Sequence, residues 1–221
     1  MKGIQKLLLI ILIIVIPVLI TTYAFRFTAF DEKYYFRFYE KYDIYSQFQT
    51  KEEVNNNTIL LLDYLKGKAP LDTEFFNEKE KLHLVDVKAI MSGLNIASYV
   101  SLLAFLFILL HLRRTKHFDY VFKGFLYGGL LTLVLIGIFI IMLATSFHSV
   151  FISFHQIFFN NDLWQLDPAT DNLIVLFPNA FFYNIAIKIM LSSVITGAIF
   201  AGFGLLFKYY RMHRKQRFSH R

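Results

Sequence analysis

The side chains best suited to acid–base chemistry are histidines on two long polar segments. His83 lies three residues from Glu80 and three from Asp86. On a helix either carboxylate can hold and polarise the imidazole, with a solvated interfacial helix as the alternative interpretation. His155 stands among phenylalanines and near Trp164, the only tryptophan. These apolar surroundings suit a histidine that acts as a general base. The alternative interpretation is an aromatic belt at the membrane interface, which accounts for the aromatic rings better than it accounts for the histidine.

Other catalytic chemistries lack their usual residues in this sequence. No cysteine is present, which excludes disulfides, thiolate metal sites and a cysteine nucleophile. The serine nucleophile elbow, G-x-S-x-G, and the glycine motifs that cradle phosphate are absent. Glu80-x-x-His83 has the spacing used in di-iron bundles, but this pattern occurs only once. We therefore expect no metal and no other cofactor.

Four long apolar stretches have to position these histidines. They run near residues 7–24, 87–112, 121–143 and 185–207. Each supplies the roughly 20 apolar residues that a helix needs to cross a bilayer core. We therefore predict an all-α membrane protein, in which residues 1–221 form a single membrane domain built on a four-transmembrane-helix bundle.

The distribution of charge predicts how the chain crosses the membrane. Fifteen of the 16 acidic residues fall in the two long segments 25–86 and 144–184. The short segments beside the spans are rich in Lys and Arg instead. By the positive-inside rule, both termini are cytoplasmic and the two long segments lie outside. The excess of positive charge, +7 in total, then lies on the segments that face the anionic inner leaflet. We therefore expect no nucleic-acid partner.

The two long segments carry signals for a small, mostly helical extracellular cap. Thr50–Glu53 is a capping box ahead of an apolar run that continues a helix to Gly67. Asn77–Glu80 is a second capping box, whose helix can run straight into the second span. In the second segment we predict short helices over Ser153–Phe159 and from Asp167-Pro168 onward.

Three stretches of the sequence together resemble one family, the bacterial integral-membrane lipoprotein intramolecular transacylases (Lit). They are FFNEKEKLHLVDVK at residues 75–88, FHQIFF at 154–159 with the tryptophan at 164, and DNLIVLFP at 171–178 with FF at 181–182. The similarity extends over nearly the whole chain in span number, loop lengths and order.

The resemblance implies a specific reaction and a catalytic pair, His83 and His155, at the outer face of the bacterial cytoplasmic membrane. The substrate would be a diacylglyceryl lipoprotein, whose sn-2 acyl chain moves to the α-amine of its N-terminal cysteine to give the lyso form. We expect His155 to be the base, because its surroundings are the more apolar. His83, with Glu80 or Asp86 behind it, would be the acid or would steady the oxyanion, although the two roles could be exchanged.

Aromatic side chains outside the membrane suit the same reaction. We expect five of them to wall a tight, largely dry chamber beside the acyl chains of the substrate and of membrane lipid: Phe154, Phe158, Phe159, Trp164 and Phe177. One alternative is a non-enzymatic membrane protein whose aromatic cap binds lipid or a protein partner. A metal-dependent lipid hydrolase is another alternative. The sequence pattern indicates no particular oligomeric state.

Overall fold

The chain is helical throughout the part that the structure describes. The computed structural model describes residues 2–219, and Met1, His220 and Arg221 lie outside the described residues. No strand occurs within that range. The elements in chain order are α1 Lys2–Ala29, α2 Glu32–Lys41, a 3-10 helix Ile44–Gln47, α3 Lys51–Leu65, α4 Glu78–Arg114, α5 Phe118–Phe158, α6 Asn172–Leu176 and α7 Asn179–Ser219.

Four of these helices, α1, α4, α5 and α7, are long and apolar enough to cross a membrane. Each contains one of the predicted apolar stretches, so the prediction of four spans is confirmed. The helices extend beyond those stretches. The 37 residues of α4 measure about 55 Å at 1.5 Å per residue, against roughly 30 Å for the hydrocarbon core of a bilayer. The first turns of α4, residues 78–86, therefore precede the predicted span 87–112 and form a polar extension that carries His83.

Each predicted capping box starts the expected helix, with one of its two bonds at Thr50–Glu53 and with both at Asn77–Glu80. The Thr50 hydroxyl accepts a hydrogen bond from the Glu53 N–H at 3.1 Å at the start of α3. After the end of that helix, Gly67 adopts a left-handed backbone with φ of +76°. At the start of α4, Asn77 and Glu80 bond reciprocally, each side chain accepting from the backbone N–H of the other.

The second long segment differs from its prediction in two places. The residues 153–159, predicted as a separate short helix, mostly belong to the end of α5, which continues past a non-helical Ser146 (φ −161°, ψ 88°). The prediction that Asp167-Pro168 starts a helix is wrong, because α6 begins only at Asn172. The Asp167 carboxylate instead accepts from the Ala169 N–H and makes a local turn.

The described chain divides into two compact units. The cap unit consists of Arg26–Asn95 and Met142–Lys188. About half of its core residues are aromatic, and Tyr39, Phe76 and Leu176 are among its fully buried residues. The Tyr39 hydroxyl is hydrogen-bonded to the Thr58 hydroxyl at 3.1 Å, so this buried polar group has a partner.

The membrane unit consists of residues 2–25, 96–141 and 189–219. Its buried cluster includes Leu12 and Ile16 of α1. Glycine allows α5 and α7 to approach closely: a Cβ added at Gly129 would lie 2.6 Å from the backbone of both Gly197 and Ala201. Small residues at such contacts let membrane helices pack by van der Waals attraction.

Candidate active site

His83 lies in the second turn of α4, and two hydrogen bonds to the Glu80 side chain hold the start of this helix in place. The Glu80 carboxylate accepts from the Asn77 N–H at 2.6 Å and from the Leu173 N–H at 2.5 Å. The first bond closes the capping box, and the second joins α4 to α6. Because Glu80 and His83 are both buried, this attachment fixes the position of the imidazole within the cap unit.

His155 lies near the end of α5 and is also buried. Its Nδ1 is 2.7 Å from the carbonyl oxygen of Phe151, one helical turn earlier. A carbonyl oxygen can only accept, so Nδ1 carries a proton in this bond. In the neutral ring, the other nitrogen, Nε2, then has a free lone pair and can accept a proton.

The structure brings the two histidines together although they lie far apart in the sequence. Their ring centroids are 6.3 Å apart, and the two ring planes differ by 29°. Phe159 touches both imidazoles, at 5.0 Å from His83 and 5.4 Å from His155 between centroids. A small reacting group can therefore meet both rings at once, as a shared acid–base task requires.

Four of the five aromatic residues predicted to wall a chamber surround this pair. Trp164 lies 4.8 Å from His155 and Phe154 lies 5.4 Å from it, measured between ring centroids. Phe158 packs on Phe154 at 4.7 Å. Phe154 and Phe158 are 42% and 54% exposed, whereas Phe159 is only 7% exposed. The two buried histidines are therefore covered by an aromatic surface whose outer rings, Phe154 and Phe158, are exposed.

Phe177, the fifth predicted wall residue, lies elsewhere in the cap unit. It is buried in the aromatic core, where its ring contacts Tyr35 at 5.9 Å and Phe181 at 4.9 Å. The Phe177-Pro178 sequence ends α6 and directs the chain into α7, which explains why the ring points into the core.

The two carboxylates predicted to stand behind His83 have different surroundings. Glu80 uses both oxygens for the backbone of Asn77 and Leu173. Asp86 interacts electrostatically with His83 and accepts a hydrogen bond from the Asn161 amide at 2.9 Å. Within residues 2–219, Nδ1 of His83 is buried without a hydrogen-bond partner. Hence Glu80 holds the start of α4 in place, whereas Asp86 interacts electrostatically with the His83 ring.

Sequence reasoning missed Asp171, which joins the two polar segments of the cap unit. One oxygen accepts from the Asn77 amide at 2.8 Å and from Thr170, and the other accepts from the Asp167 N–H at 2.8 Å. Burial acts to raise the pKa of the Asp171 carboxyl, but these hydrogen bonds outweigh burial and hold that pKa below its usual value. No local pattern signals this role, because the partner that joins the two segments, Asn77, lies 94 residues away in the sequence.

Phe151 was also missed, although its position contains a signal. It lies four residues before His155, and on a helix this spacing brings the carbonyl oxygen of the earlier residue within reach of a side chain one turn later. The ring of Phe151 also packs on the imidazole, at 4.2 Å between centroids. Phe151 therefore sets both the tautomer and the tilt of His155.

Comparison with solved structures identifies a protein of the same fold. The membrane integral lipoprotein intramolecular transacylase Lit from Bacillus cereus is 23% identical, with a TM-score of 0.85, over 98% of this chain and 100% of that chain. Two further structures of the Bacillus cereus protein carry a histidine substitution, to arginine in one and to alanine in the other. Both have a TM-score of 0.80, at 23% and 24% identity, over 96% of this chain and 96% and 97% of those chains.

Comparison with protein families gives the assignment. A search among curated proteins finds no significant match. The family described as lipoprotein intramolecular transacylase Lit matches residues 9–182, which is most of the chain and includes both buried histidines. The chain therefore belongs to the lipoprotein intramolecular transacylase (Lit) family and is an integral membrane acyltransferase.

Proposed function

We propose that this protein transfers the sn-2 acyl chain of a diacylglyceryl lipoprotein to the α-amine of that lipoprotein's own N-terminal cysteine. The product is the lyso form, with an amide on the cysteine and a free hydroxyl on the glyceryl group. The observation that carries the proposal is the pairing of His83 and His155, with ring centroids 6.3 Å apart behind an aromatic surface. Two imidazoles at this separation suit a reaction that removes one proton and supplies another.

The bonds of the substrate define what the enzyme has to do. The amine nitrogen attacks the ester carbonyl carbon through an eight-membered ring, which closes poorly in solution because many torsions must be fixed. The carbon–nitrogen bond forms and the carbon–oxygen ester bond breaks, while the attacking nitrogen loses a proton and the glyceryl oxygen gains one. No other reactant is consumed. Ordering the substrate beforehand lowers the barrier by about 7–11 kcal/mol in the most favourable intramolecular cases.

His155 is assigned as the base. The substrate α-ammonium must lose a proton before it can attack, and Nε2 of His155 is the lone pair available for that proton. The hydrogen bond from Nδ1 to the Phe151 carbonyl, at 2.7 Å, supports this assignment because it holds the opposite nitrogen unprotonated.

His83 is assigned as the group that stabilises the oxyanion and protonates the leaving oxygen. Its Nδ1 is buried and has no hydrogen-bond partner in the described part of the chain. A buried ring nitrogen of this kind gains a partner when a polar substrate group arrives. Burial and the neighbouring His155 disfavour a protonated His83 ring, and Asp86 acts against them by favouring the charged ring as the proton is handed on.

The aromatic residues around the pair are assigned as the chamber for the acyl chains. Phe154 and Phe158 present exposed rings, and Phe159 and Trp164 contact the histidines directly. Such a wall excludes water, which would otherwise compete with the amine for the ester. Phe177 is assigned to the core that supports this wall.

Charge distribution supports a location and an orientation. We assign the protein to the bacterial cytoplasmic membrane as one multi-pass domain, with both termini in the cytoplasm and the histidine pair at the outer face. The residues 144–187, which include His155, contain no Lys or Arg, as expected for a translocated segment. The diacylglyceryl group of a lipoprotein is anchored on that side of the membrane.

A crossover experiment tests the proposal. Purified protein is given a mixture of two synthetic diacylglyceryl lipopeptides with free α-amines, one with heavy isotopes in both peptide and sn-2 chain and one without. Mass spectrometry is expected to find every heavy acyl chain amide-linked to a heavy peptide and every light acyl chain amide-linked to a light peptide. Products with exchanged heavy and light parts, or release of free fatty acid in place of the amide, would overturn the proposal.

A further inference from the structure

A second group of charged side chains surrounds a cavity within the membrane unit. The cavity measures about 220 Å³ and lies between the start of α5 and the last third of α7. Its charged lining residues are Asp119 and Lys123 on α5 and Lys208 and Arg211 on α7. Each helix contributes residues three and four apart, which is the spacing that puts side chains on one helix face.

The charge around this cavity is only partly balanced. Asp119 forms an ion pair with Arg211. Among the side chains that the structure describes, Lys123 and Lys208 have no carboxylate within ion-pair distance, and both are exposed. Two positive charges therefore border the cavity without a counter-charge from the protein.

The remaining lining of the cavity is mostly apolar. Leu126 and Gly204 are buried, and a Cβ at Gly204 would lie 2.6 Å from Leu126, so the two helices touch there. Phe122 and Phe207 form a stacked pair beside this contact, with ring centroids 3.6 Å apart. The cavity thus has a basic mouth at the polar helix ends and an aromatic wall toward the membrane interior.

We propose that this cavity binds the headgroup of an anionic phospholipid. The phosphate would contact the ammonium groups of Lys123 and Lys208, and the first part of an acyl chain would lie along Phe122 and Phe207. Basic pockets between transmembrane helices on the cytoplasmic side are suited to anionic lipid headgroups, and lysine binds phosphate as a compact point charge. A free phosphate ion would use the basic mouth but not the aromatic wall. The volume of about 220 Å³ accommodates a headgroup but not a whole lipid.

Native mass spectrometry of the purified full chain in detergent tests this site. The probes are phosphatidylglycerol, which is anionic, and phosphatidylcholine, which is zwitterionic. We expect the protein to retain phosphatidylglycerol at least about tenfold more tightly. The double variant Lys123→Gln/Lys208→Gln is expected to lose that preference, and Lys123→Arg/Lys208→Arg is expected to keep it.

A matched control separates a site from general surface charge. Arg113→Gln/Arg114→Gln removes the same number of exposed cations from the same polar side but none from the cavity, and it should retain the preference. An equal loss in both glutamine variants, or no preference in the unchanged protein, would overturn the proposal. Displacement of phosphatidylglycerol by an equal concentration of inorganic phosphate would also overturn it, because the site would then recognise the free ion.

Discussion

The carboxylate of Glu80 accepts a hydrogen bond from the backbone N–H of Leu173 at 2.5 Å. Through this bond the helix that carries His83 is fastened to α6, which follows the segment that carries Trp164. The other oxygen of Glu80 caps α4 itself by accepting from Asn77. One buried carboxylate thus couples the start of α4 to the second polar segment of the cap unit.

The substitution Glu80→Gln is expected to destabilise the cap unit. A glutamine has one acceptor oxygen in place of two, so one of the two backbone N–H groups loses its acceptor, and the N–H of Leu173 is buried. A buried donor left without a partner costs about 1–3 kcal/mol. The measurement is the midpoint of thermal unfolding in detergent micelles, which should fall relative to the unchanged protein.

Glu78→Gln is the matched control for that variant. Glu78 precedes Glu80 by two residues, is 87% exposed, and forms an ion pair with Lys81 at 3.3 Å. Exposed pairs of this kind contribute about 0–1 kcal/mol, so the midpoint should hardly move. Equal effects from the two substitutions would contradict the role given to the Leu173 contact.

The Asp171 hydrogen bonds predict a pH dependence of stability. Because these bonds lower the pKa of Asp171 below its usual value near 3.8, the ionised carboxyl stabilises the folded state at neutral pH. That stabilisation is present above the usual value and is lost as the pH falls through the lowered pKa. The difference in unfolding midpoint between the unchanged protein and Asp171→Asn should therefore be large at pH 7 and shrink in acid.

Asp162→Asn is the control for this pH series. Asp162 is exposed, and its carboxylate accepts from the side chain of Gln165. Its substitution should leave the midpoint nearly unchanged at both ends of the pH range. A difference for Asp171→Asn that stays constant from pH 7 into acid would contradict the account of its hydrogen bonds.

The membrane spans and two helix starts were predictable from the sequence, because each depends on residues that are close together in the chain. Apolar stretches of about 20 residues define the spans. The capping boxes at Thr50 and Asn77 place the starts of α3 and α4, because each needs only side chains three residues apart.

What could not be predicted depends on contacts between distant residues. Asp167-Pro168 has the local pattern of a helix start, but the Asp167 N–H is bonded to Asp171 and α6 begins later. Glu80 has the spacing to face His83, but its oxygens are taken by backbone groups, one of them from the other long segment. The histidine pairing came from a family resemblance, and spacing alone left it open.

Close packing in the membrane unit gives a prediction at Gly129. An added Cβ would lie 2.6 Å from backbone atoms of Gly197 and Ala201, which cannot move aside without shifting α7. Gly129→Ala is therefore expected to lower the free energy of unfolding by about 1–3 kcal/mol, as overpacking does elsewhere. A fall in the midpoint of thermal unfolding in detergent would show this loss of stability.

Gly137 on the same helix is the control for Gly129. Apart from its own stretch of helix, nothing lies within 4 Å of a Cβ added there, and alanine favours the helix over glycine by about 0.5–1 kcal/mol. Gly137→Ala should leave the unfolding midpoint unchanged or raise it. A similar decrease for both alanine variants would argue against a close helix contact at Gly129.

The aromatic wall predicts a graded effect at Trp164. Its ring lies 4.8 Å from His155, and an aromatic pair contributes roughly 0.5–1.5 kcal/mol beyond simple burial. Trp164→Ala should lower kcat/KM for a diacylglyceryl lipopeptide about tenfold, and Trp164→Phe should retain most of the activity. If alanine and phenylalanine are equally active, the indole does not shape the site.

The most direct test of the central claim compares three histidine variants on the same lipopeptide. His83→Ala and His155→Ala should each reduce turnover by about 10²–10⁴-fold, the usual contribution of a general acid or base. His148→Ala should retain full turnover, because His148 is exposed on α5 and outside the pair. Full turnover in a folded His83→Ala or His155→Ala protein, with helix content and elution volume unchanged, would contradict the account.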